Sequence, residues 1–363
     1  MSARISEVSI PRNGSWKIIN DASESQLMDA AMGIVEDGGD GGILARKLNS
    51  SERETRELES RTVVNLATNE SLASGVWKIA PVAQIHEMTV IDRDEIEAYR
   101  YLELLLTEHE RSSSNKPLSI AVFGPPGSGK SFGVKMVLAS KGFTSPLEFN
   151  LAQFSTPEQL ADAFLQISSA GIGGKTPVAF FDEFDSSLGN TRLGWLRYFL
   201  APMQDGEIFY HQTRHKIGKA VLVFAGGTSE TFSQFTRETD SEEELAVFTH
   251  AKGPDWVSRL GGYIDVLGVN RRNVNDQSYI LRRAIIFRAE LVRKGLVGRS
   301  SRSLIDRAFV RKMLEIGEFK HGARSLSKVI DMCVGPDGAL HIPPKEQLTM
   351  HIAADDVERL LRF

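Results

Sequence analysis

Two short stretches of this 363-residue chain hold residue types at spacings that could do chemistry: Gly124-Pro-Pro-Gly-Ser-Gly-Lys-Ser131 and, further on, Asp182-Glu183. The first fits the spacing GxxxxGK[ST]. Bare backbone at Gly124, Gly127 and Gly129 lets amide N–H groups converge on phosphate oxygens at the start of the following helix, where the dipole favours an anion. Lys130 then reaches the β- and γ-phosphates of a nucleotide. Pro125, Pro126, Ser128 and Phe132 complete the loop and its exit, and are expected to line the nucleotide. The Ser131 hydroxyl and the Asp182 carboxylate are hard oxygen donors suited to Mg²⁺. Glu183 is left to orient and deprotonate a water for in-line attack on the γ-phosphate of ATP. An Asp-Glu pair can also be a plain solvated strand end. Its place after the apolar Val178-Ala-Phe-Phe181, downstream of a phosphate loop, favours the catalytic reading.

The elements that must position these groups follow from the pattern. An apolar run at 118–123 precedes the loop, and residues 131–140 read as the helix that follows it. Apolar runs recur at 146–150, 178–181 and 220–225, the last ending in Gly226-Gly-Thr-Ser229. Ser155-Thr-Pro-Glu opens a helix to about residue 168, through an N-cap followed by Pro in the first turn. Buried-type strands alternating with helices predict an α/β fold with a doubly wound parallel sheet, whose C-terminal strand edge holds ligands. Residues 89–111 read as a helix in front of this core, and 238–244 as an acidic surface loop. Beyond it, helical patterns at 277–297, 303–316, 324–332 and 355–361 predict a small helical lid. In the first of these, Arg282, Arg283, Arg288 and Arg293 interleave with apolar residues. They read as solvated arginines on an amphipathic helix in preference to a nucleic-acid surface.

Before residue 86 the only aromatics are Trp16 and Trp77, so this segment is expected to bury little. With the flexible break Glu36-Asp-Gly-Gly-Asp-Gly-Gly42 and the polar stretch 50–61, it reads as a partly disordered extension or a docking arm. The expected organisation is an extension over 1–85, a nucleotide-binding core over 86–270 and a lid over 271–363. A balance of 43 Lys and Arg against 47 Asp and Glu gives no global reason to expect nucleic acid or an anionic membrane as partner. The single cysteine, Cys333, excludes an internal disulfide framework and suits a reducing, cytoplasmic setting. No stretch is long and apolar enough for a membrane span. Histidines 211, 215, 250 and 321 lack a metal-ligand spacing beyond one i, i+4 pair.

The phosphate loop at 124–131, Phe180-Phe-Asp-Glu-Phe-Asp185, the strand leading to Thr228, Ser258-Arg-Leu260 and Gly322-Ala-Arg-Ser325 resemble, in order and approximate spacing, the motifs of AAA+ ATPases. The resemblance covers about residues 86–363. It implies that Thr228 is the polar sensor that helps hold the attacking water. It implies that Arg259 is the arginine finger reaching the γ-phosphate of an adjacent subunit, and Arg324 the second sensor on the lid. Asn150 matches the polar switch that restrains the catalytic Glu. A finger acting in trans implies a homo-oligomeric ring, a hexamer in the family pattern. Residues 200–210 followed by 216–219 resemble a Clp-type hairpin before the fourth strand, and the whole chain is similar to bacterial AAA+ proteins of unassigned role. Residues 151–155 lack the aromatic-hydrophobic-Gly pore loop, and Phe154 reads as core. The function these features imply is hydrolysis of Mg-ATP to drive conformational work on a protein partner or substrate. The alternative is an ATP-gated assembly or scaffold protein with little turnover.

Overall fold

Residues 24–37, 83–236, 241–276, 278–296 and 305–362 are described in a computed structural model of the chain. In chain order the elements are helix α1 (Glu24–Asp37), the hairpin β1 (Ala83–Ile85) and β2 (Met88–Val90), and α2 (Arg93–Arg111). Strand β3 (Leu118–Phe123) leads into α3 (Lys130–Ser140), β4 (Leu147–Asn150) into α4 (Pro157–Gly171), and β5 (Val178–Asp182) into α5 (Leu196–Asp205). A second hairpin, β6 (Glu207–Tyr210) and β7 (Thr213–Lys216), precedes β8 (Val221–Ala225). Three short helices, α6 (Phe232–Thr236), α7 (Glu242–His250) and α8 (Gly253–Val257), lead to β9 (Gly262–Asp265). The rest is helical: α9 (Tyr279–Arg293), α10 (Arg307–Glu315), α11 (Ala323–Cys333), α12 (Lys345–Thr349) and α13 (Ala354–Leu361). The described residues fall into two units, one spanning 97–267 and the other made of 24–37, 83–96 and 268 onward.

In the first unit five parallel strands lie in the order β4-β5-β8-β3-β9. Residues 221–224 of β8 are fully buried and 120–123 of β3 nearly so, as expected where helices cover both faces of a parallel sheet. The register decides where the tips fall. Asp182 pairs with Asn150 on one side and Ala225 on the other, and Val122 also pairs with Ala225. The loops after β3, β5 and β8 therefore leave one sheet edge at the same level. On one face an aromatic core anchors these tips: Phe181 stacks on Phe224 at 5.6 Å, and Phe184, just past β5, lies parallel to Trp256 at 4.8 Å. The β6–β7 hairpin expected before the fourth strand is present. It turns through His211 and Gln212, both left-handed (φ 44° and 62°) as a two-residue hairpin turn requires. Strand β9 was not anticipated.

The second unit holds the helices expected of the C-terminal part. It also holds α1, which over residues 24–37 departs from the expectation that the segment before residue 86 buries little. Leu27, Ala30, Ala31, Ile34 and Val35 recur at helical spacing and, with Met32, are buried in one core with residues of α9 and α10. Small and aliphatic side chains do this without aromatics, which is why counting aromatics missed it. The stretches 1–23 and 38–82, with Trp16, Trp77 and the polar run 50–61, lie outside the described residues.

The arginines of α9 depart from expectation too. Arg282, Arg283 and Arg288 are buried, and only Arg293 remains largely solvated, paired with Glu290. Arg282 grips Asp276 with both terminal nitrogens at 3.0 and 2.7 Å. Arg283 donates to the carbonyls of Val269, Leu314 and Ile316 between the rings of Tyr279 and Phe319, and burial pushes its guanidinium down to about 10. Arg288 donates to the Val35 carbonyl at 3.1 Å, satisfying an orphan acceptor in the last turn of α1. Each buried guanidinium thus meets acceptors through at least part of its N–H fork, while Nη2 of Arg283 is buried without one.

Candidate nucleotide site

The loop after β3 is shaped by close approach. A side chain at Gly124 would stand 2.5 Å from Ser128 Oγ and 2.7 Å from the Val266 carbonyl, so only glycine fits there. Gly127 and Gly129 have φ of 74° and 90°, and Gly129 caps α3 in the left-handed region. Lys130 folds back over the loop and donates to the carbonyls of Gly124 (2.7 Å) and Pro125 (3.3 Å). The Ser128 hydroxyl is buried without a hydrogen-bond partner, a polar group aimed at no protein atom. Pro125, Pro126 and Gly127 form the turn between, and Phe132 is half exposed on the first turn of α3. Behind the loop Tyr99 of α2 packs so closely on Gly133 of α3 that a side chain there would meet its hydroxyl at 2.0 Å.

Across the strand edge, Ser131 Oγ donates to Asp182 Oδ1 at 3.4 Å, which brings together the two oxygen donors expected at a cation. Burial pushes the Asp182 carboxyl above its ordinary range, while the nearby Lys135 ammonium pulls it down. Lys135 is held by an ion pair with Glu148 at 2.7 Å. Glu183 follows with a left-handed backbone, φ 55°, unusual for a residue with a side chain. Its carboxylate lies over Gly227: a Cβ there would sit 1.6 Å from Glu183 Oε2. The neighbouring Thr228 is not a free hydroxyl, for it donates to Asp185 Oδ2 at 2.6 Å. Asp185 and Gly227 are the residues that sequence reasoning missed. The only signal was a third carboxylate two positions past the acid pair, inside the resembling motif.

The remaining candidates lie on other elements. Arg259, just beyond α8, donates to the Asp255 carbonyl and to Gln204 of α5, and its Nε is buried without a partner. Arg324 is exposed on the first turn of α11 in the second unit. Asn150 caps the short turn after β4, accepting from the Ala152 amide at 2.9 Å. Phe154 packs edge-on against Trp195, in accord with a core reading. Among the described residues no group of three or more His, Cys, Asp or Glu could hold a metal, and no helix is long and apolar enough to cross a membrane.

Residues 120–236 match the family model described as ATPase family associated with various cellular activities (AAA). No curated protein matches the sequence. Among solved structures, a mutant of Thermotoga maritima RuvB is similar at 15% identity, over 74% of this chain and 69% of that one, with a TM-score of 0.43. The Aeropyrum pernix ORC2 protein, in ADPNP–ADP complexes, is similar at 13% identity over 73% and 67%, with a TM-score of 0.42. The FIGL-1 AAA domain in complex with ADP is similar at 13% identity over 74% and 80%, also at 0.42. The family match, the phosphate loop within it and the parallel sheet that carries it identify residues 120–236 as a P-loop ATPase domain of the AAA family.

Proposed function

We propose that the chain binds Mg-ATP on residues 124–132 and hydrolyses it to drive conformational work on a macromolecular partner. The observation that carries this reading is the meeting of Ser131 and Asp182 at 3.4 Å, beside the Glu183 carboxylate, on the edge where the phosphate loop opens. The donor set fits a hard cation, and the unpartnered Ser128 hydroxyl and the glycine-only approach at Gly124 fit a phosphate cradle. Bound Mg²⁺ supplies neutralisation of the charge that develops on the phosphates.

The chain's own residues do the rest. Lys130 exchanges the loop carbonyls for phosphate oxygens, Ser131 and Asp182 hold the cation, and Glu183 takes a proton from the attacking water. Thr228 helps hold that water. Arg259 compensates phosphate charge in a neighbouring subunit of a ring, hexameric in the family pattern, and Arg324 senses nucleotide in its own chain. A planar guanidinium is suited to both tasks.

The test is the ATP hydrolysis rate per protomer over a wide protein concentration series, with Glu183→Gln and Arg259→Ala alongside. The rate of the unaltered protein should climb and level off, since catalysis needs a neighbour. Both variants should keep nucleotide binding, and Glu183→Gln should lose about 100-fold or more in turnover. Hydrolysis persisting in Glu183→Gln would refute the base assignment. An unaltered protein no faster than that variant at any concentration would favour the ATP-gated scaffold.

A further inference from the structure

We propose that Asp185 is a positioning residue for hydrolysis, acting through Thr228: it fixes that hydroxyl as an acceptor, so that Glu183 and Thr228 take the two O–H bonds of the attacking water. The inference rests on the ATPase reading above.

The geometry is specific. The Asp185 side chain is 2% exposed, in the turn behind the acid pair. Its Oδ1 accepts from the Gly227 amide at 2.8 Å. Its Oδ2 accepts from the Thr228 amide at 2.8 Å and from the Thr228 hydroxyl at 2.6 Å. A buried carboxylate must be met by donors, and here three come from two successive residues at the tip of β8. Phe184, stacked on Trp256, pins the segment that carries Asp185. One short stretch thus fixes Glu183 by its own backbone and the turn 227–228 by the Asp185 carboxylate.

The consequence concerns proton direction. A hydroxyl has one proton and two lone pairs. With the Thr228 proton committed to Asp185, only lone pairs face the site. Thr228 cannot donate to the water oxygen and must accept from it. The Glu183 carboxylate, lying over Gly227 beside Thr228, accepts the other O–H. With both O–H bonds taken, the water's lone pair is directed away from these acceptors, toward phosphorus. In the chemical step that lone pair forms the new P–O bond. The bond from phosphorus to the β–γ bridging oxygen breaks with its electrons going to ADP, and the proton moves to Glu183.

The experiment is a double-mutant cycle on the full chain with Asp185→Asn and Thr228→Val, reading kcat, KM for ATP and hydrogen exchange at the amides of 227 and 228. Asn at 185 offers one acceptor oxygen in place of two, so its NH2 group must oppose either the Gly227 amide or the two Thr228 donors and the turn 227–228 loses its anchor, while Val at 228 keeps the shape without the hydroxyl. Each single variant should lower kcat about 10- to 100-fold with KM within about twofold, and the double variant should be no slower than the worse single one. Exchange at the two amides should quicken in Asp185→Asn. Losses that multiply in the double variant, or a rise in KM in place of a fall in kcat, would overturn the proposal. If the unaltered protein hydrolyses no ATP, the ATPase reading falls, and with it this role in hydrolysis, whereas normal turnover in Asp185→Asn alongside a slowed Thr228→Val sinks this inference alone.

Discussion

Gly227→Ala adds one methyl group at the point where the geometry is least forgiving. The new carbon would lie 1.6 Å from Glu183 Oε2 and 2.4 Å from its carboxyl carbon. Carbon and oxygen do not approach below roughly 3.2 Å, so the carboxylate must retreat by about 1.5 Å. A misplacement of about 1 Å at a reacting group costs about 100-fold, and a general base contributes about 10² to 10⁴ in all. Turnover should therefore fall about 100-fold or more, equivalent to about 2.7 kcal/mol of activation free energy. The rest of the protein should not notice. Gly227 is exposed and outside the left-handed region, so alanine brings neither backbone strain nor core overpacking. Its smaller unfolded-state entropy should leave the melting temperature unchanged or slightly raised. Single-turnover hydrolysis, nucleotide binding and thermal unfolding on one preparation separate these effects. Turnover within about threefold of the unaltered protein would refute the placement of Glu183 as the base.

Two further predictions concern the second unit. Met32→Ala removes a fully buried side chain from α1 and should cost about 2–4 kcal/mol in equilibrium unfolding; a loss below about 0.5 kcal/mol would mean that α1 is not part of that core. Burial pushes the Asp276 carboxyl up, but the hydrogen bonds and charge of Arg282, with Arg272, outweigh it and hold the group at about 2. The folded value lies below the unfolded one, so this stabilisation is present above the ordinary carboxylate range and is lost as pH falls from about 4 to about 2. It amounts to about 2 kcal/mol, and Asp276→Asn should lack this acid-dependent component in unfolding measured across that window. An identical pH slope in the two proteins would remove Asp276 as its source.

The edge that carries the candidate site was legible because its signals are local. The phosphate loop is continuous in sequence, and Asp182-Glu183 directly follows a strand readable from four consecutive apolar residues. The alternation of strands and helices was enough for a parallel sheet. Strand β9 was not readable, since Gly262–Asp265 is four residues with one buried side chain, Ile264, and is a strand only because β3 supplies its hydrogen-bond partners. Residues 238–244 looked like a solvated acidic loop, yet 242–250 form a helix. Ser241 caps it through the Glu244 amide, and Glu242, Glu243 and Glu244 meet the positive end of its dipole.

What the sequence alone offered is a set of candidate groups and their order: a phosphate loop, two oxygen donors suited to a cation, an adjacent carboxylate, and the strands that deliver them. Tertiary structure decided which groups are actually committed. Arg282, Arg283 and Arg288 read as solvated because their acceptors, Asp276 and the carbonyls of Val269, Leu314 and Val35, lie on other segments that only folding brings near. Glu183 depends on the missing side chain of Gly227 and Thr228 on Asp185, more than forty residues apart in the chain. A local pattern records what a residue can do. Which proton it holds and which space it occupies are set by neighbours that the parallel register of β5 and β8 places side by side.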